Sequence, residues 1–104
     1  MPDTAQHVAV RDNPDYARYE AWVGDALAGL SAYRLARGGR IVFLHTEIEP
    51  EFEGRGVGAA LARAALDDAR ARGLTVVPVC TFIAGFIDRH PEYRDLVDRT
   101  AGVG

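Results

Sequence analysis

Cysteine is nearly absent. Cys80 stands alone, so no internal disulfide can form and the fold must rest on packing. No apolar run approaches the roughly 18–20 residues of a membrane span. The first residues, Met1-Pro2-Asp3-Thr4, show no basic stretch followed by an apolar one, so no secretory signal is expected. Positive charge is not in surplus. The net charge of −3 argues against a nucleic-acid partner. Repeats and low-complexity linkers are missing as well. These absences point to a cytoplasmic protein that engages neither membrane nor nucleic acid.

What is present is ordinary for a globular protein. A chain of 104 residues has room for one domain, 1–104. Such a chain buries about two-thirds of its unfolded surface, enough for one modest core.

Residues 1–6 are polar, and fraying is expected there. His7 to Val10 reads as a short strand, ended by the turn cluster Asp12-Asn13-Pro14-Asp15. Tyr16 to Val23 reads as a second strand, closed by Gly24-Asp25. Ala26 to Ala36 is the third, and Arg37-Gly38-Gly39 suits a hairpin. Arg40 to Ile48 is the best strand and is expected to be central. Strict alternation puts Ile41, Phe43, His45 and Glu47 on one face. Val42, Leu44, Thr46 and Ile48 fall on the other. The first face turns polar at its end, which is unusual for a core.

A helix is expected from Gly56 or Val57 to Arg72, with an apolar stripe of Val57, Ala60, Leu61, Ala64 and Ala65. Asp68 and Arg72 are i,i+4 partners, and Gly73 is a natural stop. Leu74 to Val79 is a strand interrupted by Pro78, which implies an edge, a bulge or a splayed pair. Phe82 to Arg89 is a short helix stopped by His90-Pro91, and Glu92 to Arg99 adds a turn or two. The order predicts an α+β fold with an antiparallel N-terminal part.

The densest signal is Glu53-Gly54-Arg55-Gly56-Val57-Gly58, between strand and helix. A helix that starts inside a glycine-rich turn exposes unpaired N–H groups at the positive end of its dipole. That end suits a phosphate or pyrophosphate. The plainer reading is a tight turn that lets helix and sheet pack closely. It explains one glycine easily and three less well.

This run resembles the acetyl-CoA-binding motif of the GNAT superfamily of N-acetyltransferases, Arg/Gln-x-x-Gly-x-Gly/Ala. Gly56 and Gly58 match its two small positions. Glu53 departs from the usual Arg or Gln. Two unit charges 6 Å apart interact by roughly 0.7 kcal/mol in water and about 3 kcal/mol at an effective dielectric of 20. Several backbone hydrogen bonds to a charged group, at roughly 1.5–3 kcal/mol each, outweigh that repulsion. The resemblance covers about Arg40 to Tyr93. It includes His45-Thr46-Glu47, Pro78-Val79-Cys80-Thr81-Phe82 and His90-Pro91-Glu92-Tyr93, and is similar to a small single-domain branch of the superfamily.

The resemblance implies a GNAT-like mixed sheet, a cofactor-binding helix packed on it and a short C-terminal helix. It implies acetyl-CoA as cofactor and an amine acceptor, either a protein or peptide amine or a small amine. A non-catalytic CoA-binding module of the same fold is the alternative. The amides of Arg55, Gly56, Val57, Gly58 and Ala59 would hold the pyrophosphate. A backbone N–H near the end of 40–48 would hold the thioester carbonyl. The pantetheine arm would run between 40–48 and 74–79. No metal is expected.

His45 and Glu47 are candidates for the base, with a satisfied core histidine and a solvated rim carboxylate as the plainer readings. Cys80 is a candidate acyl acceptor or a small packed thiol. Ile87 stands where the family pattern carries a tyrosine acid, leaving Tyr93 and His90 as substitutes. His90 is also placed to cap the short helix. Trp22 and the tyrosines are candidates to cover an interface, and the oligomeric state is left open.

Overall fold

The computed structural model describes residues 7–98. Five strands, β1 Ala9–Asn13, β2 Arg18–Val23, β3 Ala26–Ala36, β4 Arg40–Ile48 and β5 Thr75–Pro78, form one sheet in chain order. Neighbours from β1 to β4 are antiparallel, and β5 is parallel to β4. The helix α1, Val57–Ala71, connects β4 to β5. The helix α2, Thr81–Arg89, follows β5 and leads into a 3₁₀ turn, Pro91–Leu96. The expected mixed α+β architecture is therefore present. Among the described residues no helix is long and apolar enough to cross a membrane.

Most boundaries follow local chemistry. Gly38 and Gly39 take φ of +79° and +68° between the paired ends Ala36 and Arg40. At the C-terminus of α1 the Leu74 N–H reaches the Ala69 carbonyl (2.9 Å) and the Gly73 N–H reaches Arg70 (3.1 Å). That pair of bonds around a left-handed Gly73 is the Schellman stop. The first turn lies later than expected. Asp12 and Asn13 pair with Tyr19 and Arg18 inside β1, so the chain reverses over Pro14–Tyr16 instead. Asp12 is held there by the Tyr33 hydroxyl at 2.7 Å, which offsets its poor strand propensity. Tyr16 is left outside β2 and exposed. At the other end, Arg99 lies outside the described residues.

The apolar stripe of α1 is rotated from its expected position. Val57, Leu61 and Ala65 are buried, but they are joined by Ala62, Leu66 and Ala69. Ala60 and Ala64 are only half-buried. This rotation puts both leucines into the core, and burying leucine gains more than burying alanine. Leu61 and Leu66 pack with Ile41, Phe43, Val76, Ile83 and Phe86.

Two irregularities in β4 position everything that follows. Ala32 pairs with His45, yet Tyr33 pairs with Phe43, so Leu44 is an extra residue. This bulge breaks the alternation. Ile41 and Phe43 face the core before it; Thr46 and Ile48 turn to that side after it, and His45 and Glu47 turn away. The expectation that His45 and Glu47 share a face with Phe43 is therefore corrected. The second irregularity is a parting of strands. The β4–β5 ladder ends at Phe43 and Pro78, where proline offers no N–H, and only the Cys80 N–H still reaches Phe43 (2.8 Å). Beyond that point β4 continues with β3 alone, and a wedge opens between β4 and the start of α2.

Candidate functional site

The turn after β4 carries three glycines with separate physical reasons. Gly54 and Gly56 take φ of +79° and +80°, a left-handed region that costs other residues strain. Gly58 is needed for space, since a Cβ there would lie 2.7 Å from Cζ of Phe82. Gly56 caps α1 and brings no side chain to bond the first amides. The first intrahelical bond of this end is Ala60 N–H to the Gly56 carbonyl (3.0 Å). The N–H groups of Val57, Gly58 and Ala59 are left without intrahelical acceptors. No acidic residue occupies the first turn.

Those amides border a cleft of about 560 Å³, lined by Thr46, Ile48, Phe52, Glu53, Gly54, Gly56–Ala59, Phe82, Phe86, Arg89 and His90. Arg89 ends α2 and faces this cleft; its guanidinium packs near Gly85, where a Cβ would come within 3.4 Å. Arg55 does not line the cleft, and its guanidinium lies 5.6 Å from the centre of the Phe52 ring, which does. Among the candidate cofactor contacts, Gly56, Val57, Gly58 and Ala59 thus border the cleft and Arg55 does not.

A second groove, of about 220 Å³, opens on the wedge and is lined by Leu44, His45, Thr46, Val79, Cys80, Thr81 and Phe82. Thr46 and Phe82 line both spaces. The Glu49 N–H donates to Ala28 (2.8 Å), and Glu47 pairs with Leu30. Antiparallel alternation then turns the N–H groups of Glu47 and Glu49 toward β3, and those of Thr46 and Ile48 toward the wedge.

The candidate acid–base groups divide. His45 Nε2 lies 2.9 Å from Glu47 Oε2, and their side chains are 55% and 63% exposed. They form a solvated pair on the far side of β4; His45 reaches the smaller groove and Glu47 lines neither space. Cys80 is buried at the vertex, its sulfur 3.3 Å from the Thr46 hydroxyl. His90 caps α2 as expected. Its N–H bonds the Ile87 carbonyl, its Nδ1 lies 2.9 Å from the Phe86 carbonyl, and its ring stacks on Phe86 at 3.9 Å. A carbonyl only accepts, so Nδ1 carries the proton. Tyr93 donates to Asp67 (2.7 Å) and accepts from Arg63 (3.2 Å). Burial first, and Asp67 second, hold its hydroxyl above the ordinary tyrosine range. It lines neither space and is engaged with α1. Ile87 is buried. Among the described residues no group of three His, Cys, Asp or Glu could hold a metal ion.

Several lining residues escaped the sequence, Thr46, Phe82 and Arg89 among them. Thr46 was hidden by the bulge. Phe82 and Arg89 are ordinary helix residues until α2 is docked; Gly58, which makes room for Phe82, was the available signal.

A sequence model described as GCN5-related N-acetyl-transferase matches residues 18–96. A search of curated proteins finds no match. Among solved structures, the solution structure of a GCN5-like protein from Staphylococcus aureus superimposes with a TM-score of 0.66 at 21% identity, covering 92% of this chain and 91% of that one. The crystal structure of Ard1 from Thermoplasma volcanium gives a TM-score of 0.55 at 20% identity, covering 64% of this chain and 45% of that one. Both likenesses are of fold.

Proposed function

The chain belongs to the GCN5-related N-acetyltransferase family, and from that premise we propose that it moves an acetyl group from acetyl-CoA to an amine. The observation that carries the reading is the uncapped start of α1. Three unpaired amides and two left-handed glycines open onto a cleft that runs into the β4–β5 wedge. Anionic groups are favoured at such an end by the helix dipole and by direct N–H bonds. The amides of Val57, Gly58 and Ala59 would hold the pyrophosphate, with Arg89 as the nearby cation.

Bound acetyl-CoA would supply an activated thioester carbonyl. The N–H groups of Thr46 and Ile48 face the wedge as free donors, suited to orient that carbonyl and to receive the charge that develops on its oxygen. His45 stands at the mouth of the smaller groove, held 2.9 Å from Glu47, where it is placed to take a proton from an incoming amine. Cys80 offers a second route, taking the acetyl group before the amine does. A cytoplasmic setting, with its acetyl-CoA and its reduced thiols, accords with the single free cysteine.

Calorimetry with CoA and acetyl-CoA tests the cofactor. Binding that is weakened about tenfold or more by Ala59→Asp supports the reading, and no binding at millimolar ligand overturns it. Thiol release across a panel of peptide and small amines tests the reaction. A His45→Ala variant should lose about 10²-fold in rate if the imidazole is the base. Full activity in Cys80→Ala removes the covalent route.

The non-catalytic module has one observation in its favour. Tyr93 is committed to Asp67 and Arg63, so no tyrosine among the described residues faces the wedge as an acid. Binding without thiol release from any amine would support it.

A further inference from the structure

Three side chains from separate segments form a line into the wedge. Ser31 on β3 stands opposite Thr46 on β4 in the register, and their hydroxyl oxygens are 3.1 Å apart. Thr46 Oγ1 is in turn 3.3 Å from Cys80 Sγ. Ser31 is 0% exposed, so water does not reach it. The arrangement depends on the Leu44 bulge, which turns Thr46 to this side of β4.

The hydrogens in this line can be assigned by counting. Each hydroxyl has one hydrogen and two lone pairs; a thiol is a weak donor and a weak acceptor. Among the described residues the side-chain partner of Ser31 is Thr46. If Cys80 donated to Thr46, and Thr46 to Ser31, the buried Ser31 hydrogen would have no acceptor. An unmade O–H bond in a buried place is the costlier omission, since the S–H donor is weak. Ser31 therefore donates to Thr46, and the Thr46 hydrogen is left to turn onto the Cys80 sulfur or into the open wedge.

We propose that Thr46 is a positioning residue: it takes a hydrogen bond from Ser31 and donates one to the Cys80 sulfur, turning the thiol hydrogen away from itself and leaving the sulfur supported for attack. The inference rests on the acetyl-CoA reading for its purpose. In the step concerned, a Cys80 S–C bond forms to the acetyl carbon and the C–S bond to CoA breaks. The thiol hydrogen passes to the departing CoA sulfur, so atoms balance and nothing is oxidised or reduced. A hydroxyl donor beside the sulfur stabilises the negative charge that gathers there during attack.

The apo protein tests the polarity directly. With one thiol in the chain, the Raman S–H stretch belongs to Cys80 alone. The expected band is that of a thiol that does not donate, and it stays there in Thr46→Val. A lowered band that rises in Thr46→Val overturns the proposal. Alkylation by iodoacetamide supplies the second readout. Thr46→Val should slow it about tenfold, the loss of one charge-assisted bond, and Thr46→Ser should keep it within about twofold. Ser31→Ala discriminates further. It slows alkylation or leaves it unchanged in the proposed polarity. In the reverse polarity it frees the Thr46 hydrogen to turn onto sulfur and speeds alkylation, which overturns the proposal. None of these measurements uses acetyl-CoA. Failure of cofactor binding would therefore remove the purpose and leave the hydrogen-bond line, and a reversed polarity would do the opposite.

Discussion

Two charged side chains of opposite sign border the cleft, and they should respond in opposite directions. Arg89 is the cation within it. Arg89→Gln should weaken CoA binding about tenfold in a calorimetric titration, the loss of one charge-assisted contact. Glu53 lines the same cleft and opposes an anion. Glu53→Gln should tighten CoA by about threefold, as expected for one like charge at several ångströms in partly screened surroundings. Equal affinity for the wild type and both variants would place the anion elsewhere. Gly56 belongs at this scale too. At φ +80° an alanine is strained, so Gly56→Ala should lower the unfolding free energy by about 1 kcal/mol in chemical denaturation. Glu53 and Gly56 were legible in the sequence because their places in the turn are set locally. Arg89 was not, because its place in the cleft depends on how α2 docks.

The start of α1 separates stability from binding. Ala59 is the third helical residue and is exposed. A carboxylate there complements the dipole, so Ala59→Asp should stabilise the fold by about 0.5 kcal/mol, read as a raised denaturation midpoint. The same carboxylate would compete for the free amides and repel a pyrophosphate. CoA affinity should fall about tenfold or more while stability rises. If both fell together, the substitution would merely be damaging the helix. The boundaries of β4 and α2 were nearly readable from turn residues and periodicity. The faces were not. The alternation from Ile41 to Glu47 holds only as far as the Leu44 bulge, which exists through pairing with β3. The stripe of α1 was misjudged by one rotation for a related reason. Alanines supplied the period, but Leu61 and Leu66 decided which side meets the sheet.

Across the molecule, two tyrosines tie separate elements together, Tyr19 joining β2 to α1 and Tyr33 joining β3 to β1. Tyr19 donates to Asp68 at 2.6 Å, and Tyr33 donates to Asp12 at 2.7 Å. Burial first, and the Asp12 bond next, push Tyr33 up to about 12; Tyr19 is pushed up as well, by burial and then by Asp68. The folded chain therefore keeps protons that the unfolded chain releases near pH 10. Stability is fully present below that value and should fall as pH rises from about 10 toward 12. Equilibrium denaturation across this range should show the loss, and Tyr33→Phe should reduce it.

The strand pairings themselves were easy to anticipate, since each strand neighbours the next in chain order. By itself the sequence determined the strands, every reversal but the first and the glycine turn that opens α1, because φ preference and periodicity act within a few residues. Only the tertiary structure decided that His45 and Glu47 face solvent and that Thr46 touches both Ser31 and Cys80. It also decided that Phe82 lies over Gly58. The reason is that the facing of a side chain past a bulge, and the docking of a helix, are set by partners distant in the chain.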